Sequence, residues 1–197
     1  AILFGPPKSG KSLVALSTFG QIHQDDPTAV TVYFSTELRG QIQHTAETLK
    51  RFGLDPKRHI TFDVNTPSKI FDPITYKFPE LISKGLNIKG IAIDSLPAIR
   101  GRRSLDQDSI DTMQRGDKAL TIQDGLQQIT ETIRKHKIFL ILTDQVRANQ
   151  DNPQAKGRNK LKMSSGWYAK HFAEYYIYLE RMNSKDDKSD KSGKEFV

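Results

Sequence analysis

The chain has 197 residues, 36% of them hydrophobic and 27% charged, which suits one soluble domain with a substantial buried core. It contains no cysteine, so disulfides and thiolate metal sites are excluded, and no apolar run reaches membrane-spanning length. No signal peptide opens it, and a cytoplasmic location is expected. The net charge of +7, with a pI near 9.5, favours a polyanionic partner. The chain opens in a predicted strand without an initiator Met and stops at Glu195-Phe196-Val197, the start of another. Residues 1–197 are therefore expected to be one domain, the ordered core of a longer protein.

Ile2-Leu3-Phe4 predicts a short strand leading into Gly5-Pro6-Pro7-Lys8-Ser9-Gly10-Lys11-Ser12, a full match to Gly-x-x-x-x-Gly-Lys-Ser between a strand and a helix. Gly5 and Gly10 allow turns that a Cβ would obstruct, so successive N–H groups point into one concavity and meet phosphate oxygens. The positive end of the following helix adds favourable potential for an anion. Lys11 is expected to reach the β- and γ-phosphates, and the Ser12 hydroxyl to ligate Mg²⁺. Leu13, Leu16, Phe19 and Ile22 then predict a helix over 11–23, which Asp25-Asp26-Pro27 ends.

Val30 to Ser35 is β-branched and aromatic and predicts a buried strand that runs into Glu37. Glu37 at a strand end beside a phosphate site is a candidate to orient or deprotonate an attacking water; it also suits the first turn of a helix. Ile42, Ala46, Leu49 and Phe52 recur at helical intervals and predict a helix closed by Gly53. His59 to Val64 is a further strand. The stretch holding Pro67, Pro73 and Pro79 reads mostly as loop, with a short helix near 79–84.

Gly90-Ile91-Ala92-Ile93-Asp94 is an apolar run ending in a carboxylate. Asp94 fits the water shell of a nucleotide-bound Mg²⁺, although a strand-ending Asp also caps turns. A basic loop follows at Arg100, Arg102 and Arg103. Ala119, Ile122, Leu126, Ile129 and Ile133 predict a helix over 117–137 despite Gly125. Ile138 to Thr143 is an apolar strand, with Gln145 at its end either as a γ-phosphate sensor or as a polar residue at a loop entrance.

The stretch 147–166 is long, basic and almost free of apolar residues, which marks a loop that is functional or disordered. Residues 145–170 carry Arg147, Lys156, Arg158, Lys160, Lys162 and Lys170 against Asp151, a local net of +5 out of the total of +7. Such a segment suits wrapping a nucleic-acid backbone. Trp167 and Tyr168 suit base stacking or core packing. Tyr175 to Glu180 predicts a last strand, and 183–194 a solvated, flexible loop. His23, His44, His59, His136 and His171 lack metal-ligand spacing and read as structural.

Strands too apolar for a solvated face, alternating with helices, predict an α/β fold: a mostly parallel twisted sheet with helices on both faces. Ligands in such sheets bind at the carboxyl ends of the strands, where Glu37, Asp94 and Gln145 are all expected beside the loop.

The order of the phosphate loop, Glu37, Ile91-Ala92-Ile93-Asp94-Ser95 and the run Leu140 to Arg147 resembles the ATPase core of RecA-type recombinases, in particular phage-encoded members of the UvsX kind. Lys50 to Pro56 and Ser164 to Lys170 resemble it as well, so the likeness spans nearly the whole chain. The resemblance implies a RecA-like P-loop NTPase core that binds ATP and Mg²⁺ between subunits and polymerises as a filament on single-stranded DNA for strand exchange. It implies Glu37 as catalytic base, Gln145 as γ-phosphate sensor, and the loops at 100–117 and 147–166 as DNA-binding. The alternatives are a hexameric ring helicase of the DnaB kind and an ATP-binding recombination mediator with little turnover.

Overall fold

Parallel strands buried on both faces need apolar side chains at odd and even positions alike, and the chain supplies them. The computed structural model describes residues 1–101, 116–148, 161–165 and 172–181, together with residues 154 and 169. The strands Ile2–Gly5 (β1), Val30–Ser35 (β2), His59–Asp63 (β3), Ile88–Asp94 (β4), Phe139–Ala148 (β5) and Tyr176–Tyr178 (β7) form a parallel sheet ordered β3-β2-β4-β5-β1-β7. Leu161–Met163 (β6) pairs antiparallel with the far end of β5. The molecule is thus the expected α/β fold with a mostly parallel sheet.

Alternation along the strands divides the core in two. Ile2, Val32, Phe34, Ile91, Ile93, Leu140 and Leu142 face one side and pack with Ile70, Phe71, Ile74, Phe78, Ile122, Leu126 and Ile129. Leu3, Tyr33, Ala92 and Ile141 face the other and pack with Ala15, Leu16, Phe19, Leu49 and Leu54. Burying each large apolar side chain stabilises the fold by about 1.5–3 kcal/mol before the entropy of ordering is set against it.

The helices are Lys11–Asp25 (α1), Gly40–Gln43 (α2), Ala46–Arg51 (α3), Pro67–Asp72 (α4), Phe78–Ser83 (α5) and Asp117–Lys135 (α6). The single helix expected across Ile42 to Phe52 is two. His44 leaves helical geometry and Thr45 starts α3 as an N-cap, accepting from Thr48 N at 3.2 Å. Ile42 is 80% exposed and has no core to join. Gly53, at φ +77°, does close α3: its N–H reaches Lys50 O and Leu54 N reaches Leu49 O, a Schellman ending.

The proline-bearing stretch expected to be mostly loop is helical over 67–83. Pro67 opens α4, Pro73 opens a five-residue π turn, and Pro79 lies in the first turn of α5. Each proline stands where a missing N–H costs least, and the π turn absorbs the change of register. Burial of Ile70, Phe71, Ile74 and Phe78 holds the segment on the sheet. Gly125 is explained by the same contact, since a Cβ there would fall 2.2 Å from the Phe71 ring.

Two strand expectations are revised. β5 does not end near Thr143 but runs on through Gln145 to Ala148, because its last residues gain β6 as a partner. β7 is shorter than the predicted 175–180 and, among the described residues, is the last strand on its side of the sheet, with Tyr176 and Ile177 44% and 42% exposed. Among the described residues no helix is long and apolar enough to cross a membrane.

Candidate functional site

The Gly5–Ser12 loop joins the carboxyl end of β1 to α1. A Cβ on Gly5 would lie 2.0 Å from Leu179 O, so the loop leaves the sheet through a gap only glycine fits. Gly10, the residue before α1, has φ +92°, and Lys8 has φ +62°. Left-handed residues set in such a turn direct backbone N–H groups into one concavity. Lys11 is 8% exposed, and its Nζ donates to Pro6 O (2.7 Å), Gly5 O (3.1 Å) and Ser9 Oγ (3.4 Å). Burial lowers its pKa, while the charges of Asp94, Glu37 and Asp144 act against that shift.

Strand register brings the candidate side chains to this loop. Gly5 pairs with Gln145 across β1 and β5, and Ser35 pairs with Asp94 across β2 and β4. β5 lies between β1 and β4, so Gln145 sits between the loop and Asp94. Asp94 Oδ2 accepts from Ser12 Oγ at 2.5 Å and from the Tyr33 hydroxyl, and Oδ1 accepts from Thr143 Oγ1. The Asp94–Ser95 peptide is cis.

Glu37 lies just beyond β2 and is exposed. Its Oε1 accepts from Gln145 Nε2 at 3.1 Å and from Ser95 Oγ at 3.2 Å. The segment bearing it is tied to the end of β4 by Thr36 N to Asp94 O (2.7 Å) and Thr36 Oγ1 to Ser95 O (2.6 Å). Lys11, Ser12, Glu37, Asp94 and Gln145, expected together from the sequence, all line one cleft of about 360 Å³ with Pro7, Lys8, Ser9 and Gly10. Gln145 is placed by the interior of a strand rather than by a strand end.

The donor set fits a phosphorylated ligand accompanied by a hard divalent cation. N–H groups and an ammonium suit phosphate oxygens, and the Ser12–Asp94 pair offers two adjacent hard oxygens. Mg²⁺ commonly takes one or two protein oxygens and completes its shell with phosphate and water. Among the described residues no group of three His, Cys, Asp or Glu side chains is placed to hold a metal by itself.

Two contributors were not singled out in the sequence. Tyr33 is 1% exposed, and burial, followed by the charge of Asp94, raises its pKa well above the usual phenol value. Its signal was the polar side of β2, where Thr31, Tyr33 and Ser35 alternate with Val30, Val32 and Phe34. Asp144 is fully buried, and burial raises its pKa. Its carboxylate accepts from Ser165 Oγ (2.5 Å), Ser165 N (3.2 Å) and Gln145 N (2.7 Å), and Ser164 N donates to Gln145 O (2.9 Å). An ionisable residue inside an apolar strand was the available cue.

The stretch 147–166, expected to be a loop, is at its described ends an antiparallel ribbon continuous with the sheet. Arg147 and Lys162 are register partners in it, which sets two cations side by side. Met163, 3% exposed, anchors the return strand in the core. Arg100 is exposed beyond β4, the neighbour of β5. Arg102, Arg103, Lys156, Arg158, Lys160, Trp167, Tyr168, Lys170, His171 and the 183–194 segment lie outside the described residues.

Three of the histidines do form a structural cluster. His23 Nε2 and His59 Nδ1 meet the Thr31 hydroxyl at 3.1 and 2.9 Å, and the His44 ring stands edge-on to Tyr33 at 4.4 Å between centroids. Burial lowers all three pKa values, that of His59 to about 3. No protein-family model matches the chain, and no curated protein matches it.

Proposed function

We propose that the protein is a DNA-dependent ATPase with a RecA-like core, assembling on single-stranded DNA as a homo-oligomeric filament for homologous pairing and strand exchange. The observation that carries the reading is continuity. β5 bears Gln145 at the cleft and, two residues on, carries the Arg147–Lys162 pair on the ribbon that leaves it. A nucleotide-sensing group and a polyanion-binding group thus share one strand.

In this reading the loop N–H groups and Lys11 hold the β- and γ-phosphates, Lys11 exchanging the Gly5 and Pro6 carbonyls for phosphate oxygens. Ser12 and Asp94 would hold Mg²⁺, which when bound neutralises charge on the β- and γ-oxygens. Glu37 orients a water toward the γ-phosphorus and takes its proton as the new P–O bond forms and the bond to the β-bridging oxygen breaks. ADP and inorganic phosphate are the products. Ser95 and Gln145 hold the Glu37 carboxylate in place, and Gln145 is positioned to report the terminal phosphate along β5.

The test is ATP turnover of the full-length protein with and without single-stranded DNA, with Lys11→Ala as the inactive control, together with electron microscopy of the assembly. Stimulated turnover and filaments support the proposal. Rings that unwind forked duplexes would replace it with a helicase, and ATP binding without stimulated turnover with a mediator.

A further inference from the structure

The base of the β5–β6 ribbon holds a charge that neither the phosphate site nor the Arg147–Lys162 pair uses. Asp144 is fully buried on an apolar face of β5: Phe4 is its register partner on β1, and Leu142 precedes it by two. A carboxylate in such a place is costly unless its oxygens are satisfied. Here each oxygen has a donor. Oδ1 accepts from Gln145 N at 2.7 Å, and Oδ2 accepts from Ser165 Oγ at 2.5 Å and from Ser165 N at 3.2 Å.

The two oxygens hold different pieces of chain. Oδ1 fixes the peptide that leads into Gln145, whose side chain takes the opposite face of β5 and lines the cleft. Oδ2 fixes the return strand, where Ser164 N to Gln145 O (2.9 Å) carries the β5–β6 pairing one residue inward from Val146 and Met163. Strand pairing alone holds the return strand in place; the carboxylate adds a link from it to the Gln145 peptide. The link needs an acceptor on both sides. An Asn carbonyl could accept from Gln145 N, but its amide would then meet Ser165 N donor to donor.

Hydrogen bonds to a charged group, made away from water, resist breaking, so a displaced partner carries the carboxylate with it. A shift of the return strand, such as a polyanion drawn to Arg147 and Lys162 would impose, therefore turns the Asp144 carboxylate and the Gln145 peptide together. We propose that Asp144 is a positioning residue which, pinned to Ser165 on one oxygen and to Gln145 N on the other, passes movement of β6 to the Gln145 amide at the cleft and the reverse. This inference rests on the ATP and DNA sites proposed above and assigns the residues that join them.

Lys11 feels the charge of Asp144, so a change at Asp144 also acts on the phosphate site, and Ser165 is the better place to cut the link. Anisotropy of a labelled single-stranded oligonucleotide gives its affinity for the full-length protein, with and without saturating Mg²⁺ and a non-hydrolysable ATP analogue. The ratio of the two affinities in the unaltered protein should be about 5–150. In Ser165→Ala it should fall to within about twofold of one, while the affinity without nucleotide stays within about twofold of the unaltered value. Asp144→Asn should lose the ratio as well. A Ser165→Ala protein that keeps the ratio, whether its two affinities fall alike or do not change, would show that the pair only braces the ribbon and would overturn the coupling. An unaltered protein that binds both ligands with a ratio near one would overturn it too. Failure of the unaltered protein to bind the analogue or the oligonucleotide would instead refute the ATP or DNA site beneath, and this inference with it.

Discussion

Tyr33→Phe removes one oxygen atom and nothing else from a site where three hydroxyls converge on Asp94. The ring is 1% exposed and keeps its packing against Phe19 and His44, so no cavity the size of a side chain opens. What is lost is a hydrogen bond from a buried phenol to a carboxylate, worth roughly 1.5–3 kcal/mol. At about 2–4 °C per kcal/mol for a chain of this length, the melting temperature should fall by roughly 3–12 °C. Asp94 then keeps one donor on each oxygen, Ser12 on Oδ2 and Thr143 on Oδ1, and loses the third tie that fixes its orientation. Its carboxylate should turn, and the Mg²⁺ concentration for half-maximal nucleotide binding should rise. Thermal denaturation and Mg²⁺ titration of nucleotide affinity read the two effects separately. A variant that melts like the unaltered protein and needs no more Mg²⁺ would refute the claim that the Tyr33 hydroxyl positions Asp94.

Glu37→Gln should lower turnover by about 10²–10⁴-fold with stability changed by less than about 0.5 kcal/mol, because the side chain is exposed and its Ser95 and Gln145 contacts suit an amide oxygen as well. Steady-state ATPase assays at matched protein concentration check this, and retained turnover would remove Glu37 as the base. Replacing Arg147 and Lys162 together by Gln should flatten the dependence of log affinity on log salt for single-stranded DNA by about 0.7 per residue removed. An unchanged slope would detach the ribbon from DNA. His59, held near a pKa of about 3 by burial, binds its proton in the unfolded chain near 6.5 and not in the folded one. Stability contributed by its neutral form is therefore present above about pH 6.5 and is lost as pH falls toward 3, by up to about 1.4 kcal/mol per pH unit. Urea denaturation across that window should show a shallower slope in His59→Gln.

The parts of the site that were legible in the sequence are those whose chemistry is local. Gly5 to Ser12 declares itself by spacing, and Asp94 by ending an apolar run, so neither needs the rest of the chain to be recognised. Gln145 lies at the cleft for a reason that is not local. Its place is set by pairing with Gly5, and whether a strand stops or gains another partner depends on Leu161 to Met163, which the local pattern of β5 does not contain. Of the helical stretch 67–83 only the part near 79–84 is expected from the sequence, because a proline taken alone reads as a helix breaker. Each proline in fact opens a helical segment, and the spacing of Ile70, Phe71, Ile74 and Phe78 outweighs them. Tyr33 and Asp144 were overlooked since each looks like core until its partner is known: Asp94 lies 61 residues from the one, and Ser165 lies 21 from the other.

The position of β1 in the sheet bears on how the protein is made. Ile2 pairs with Leu142 on one side and with Tyr176 on the other, so the strand that carries the Gly5–Ser12 loop is synthesised long before either neighbour exists. At roughly 5–20 residues per second, the 140 residues that separate Ile2 from Leu142 take about 7–28 s to follow it out of the ribosome. Through that interval Ile2, Leu3 and Phe4 form an apolar segment without its sheet, the kind of segment that chaperones hold. The cleft accordingly forms in one late step during biosynthesis, when β5 pairs with β1, and a nascent chain stalled before residue 139 would have the loop's residues but no cleft.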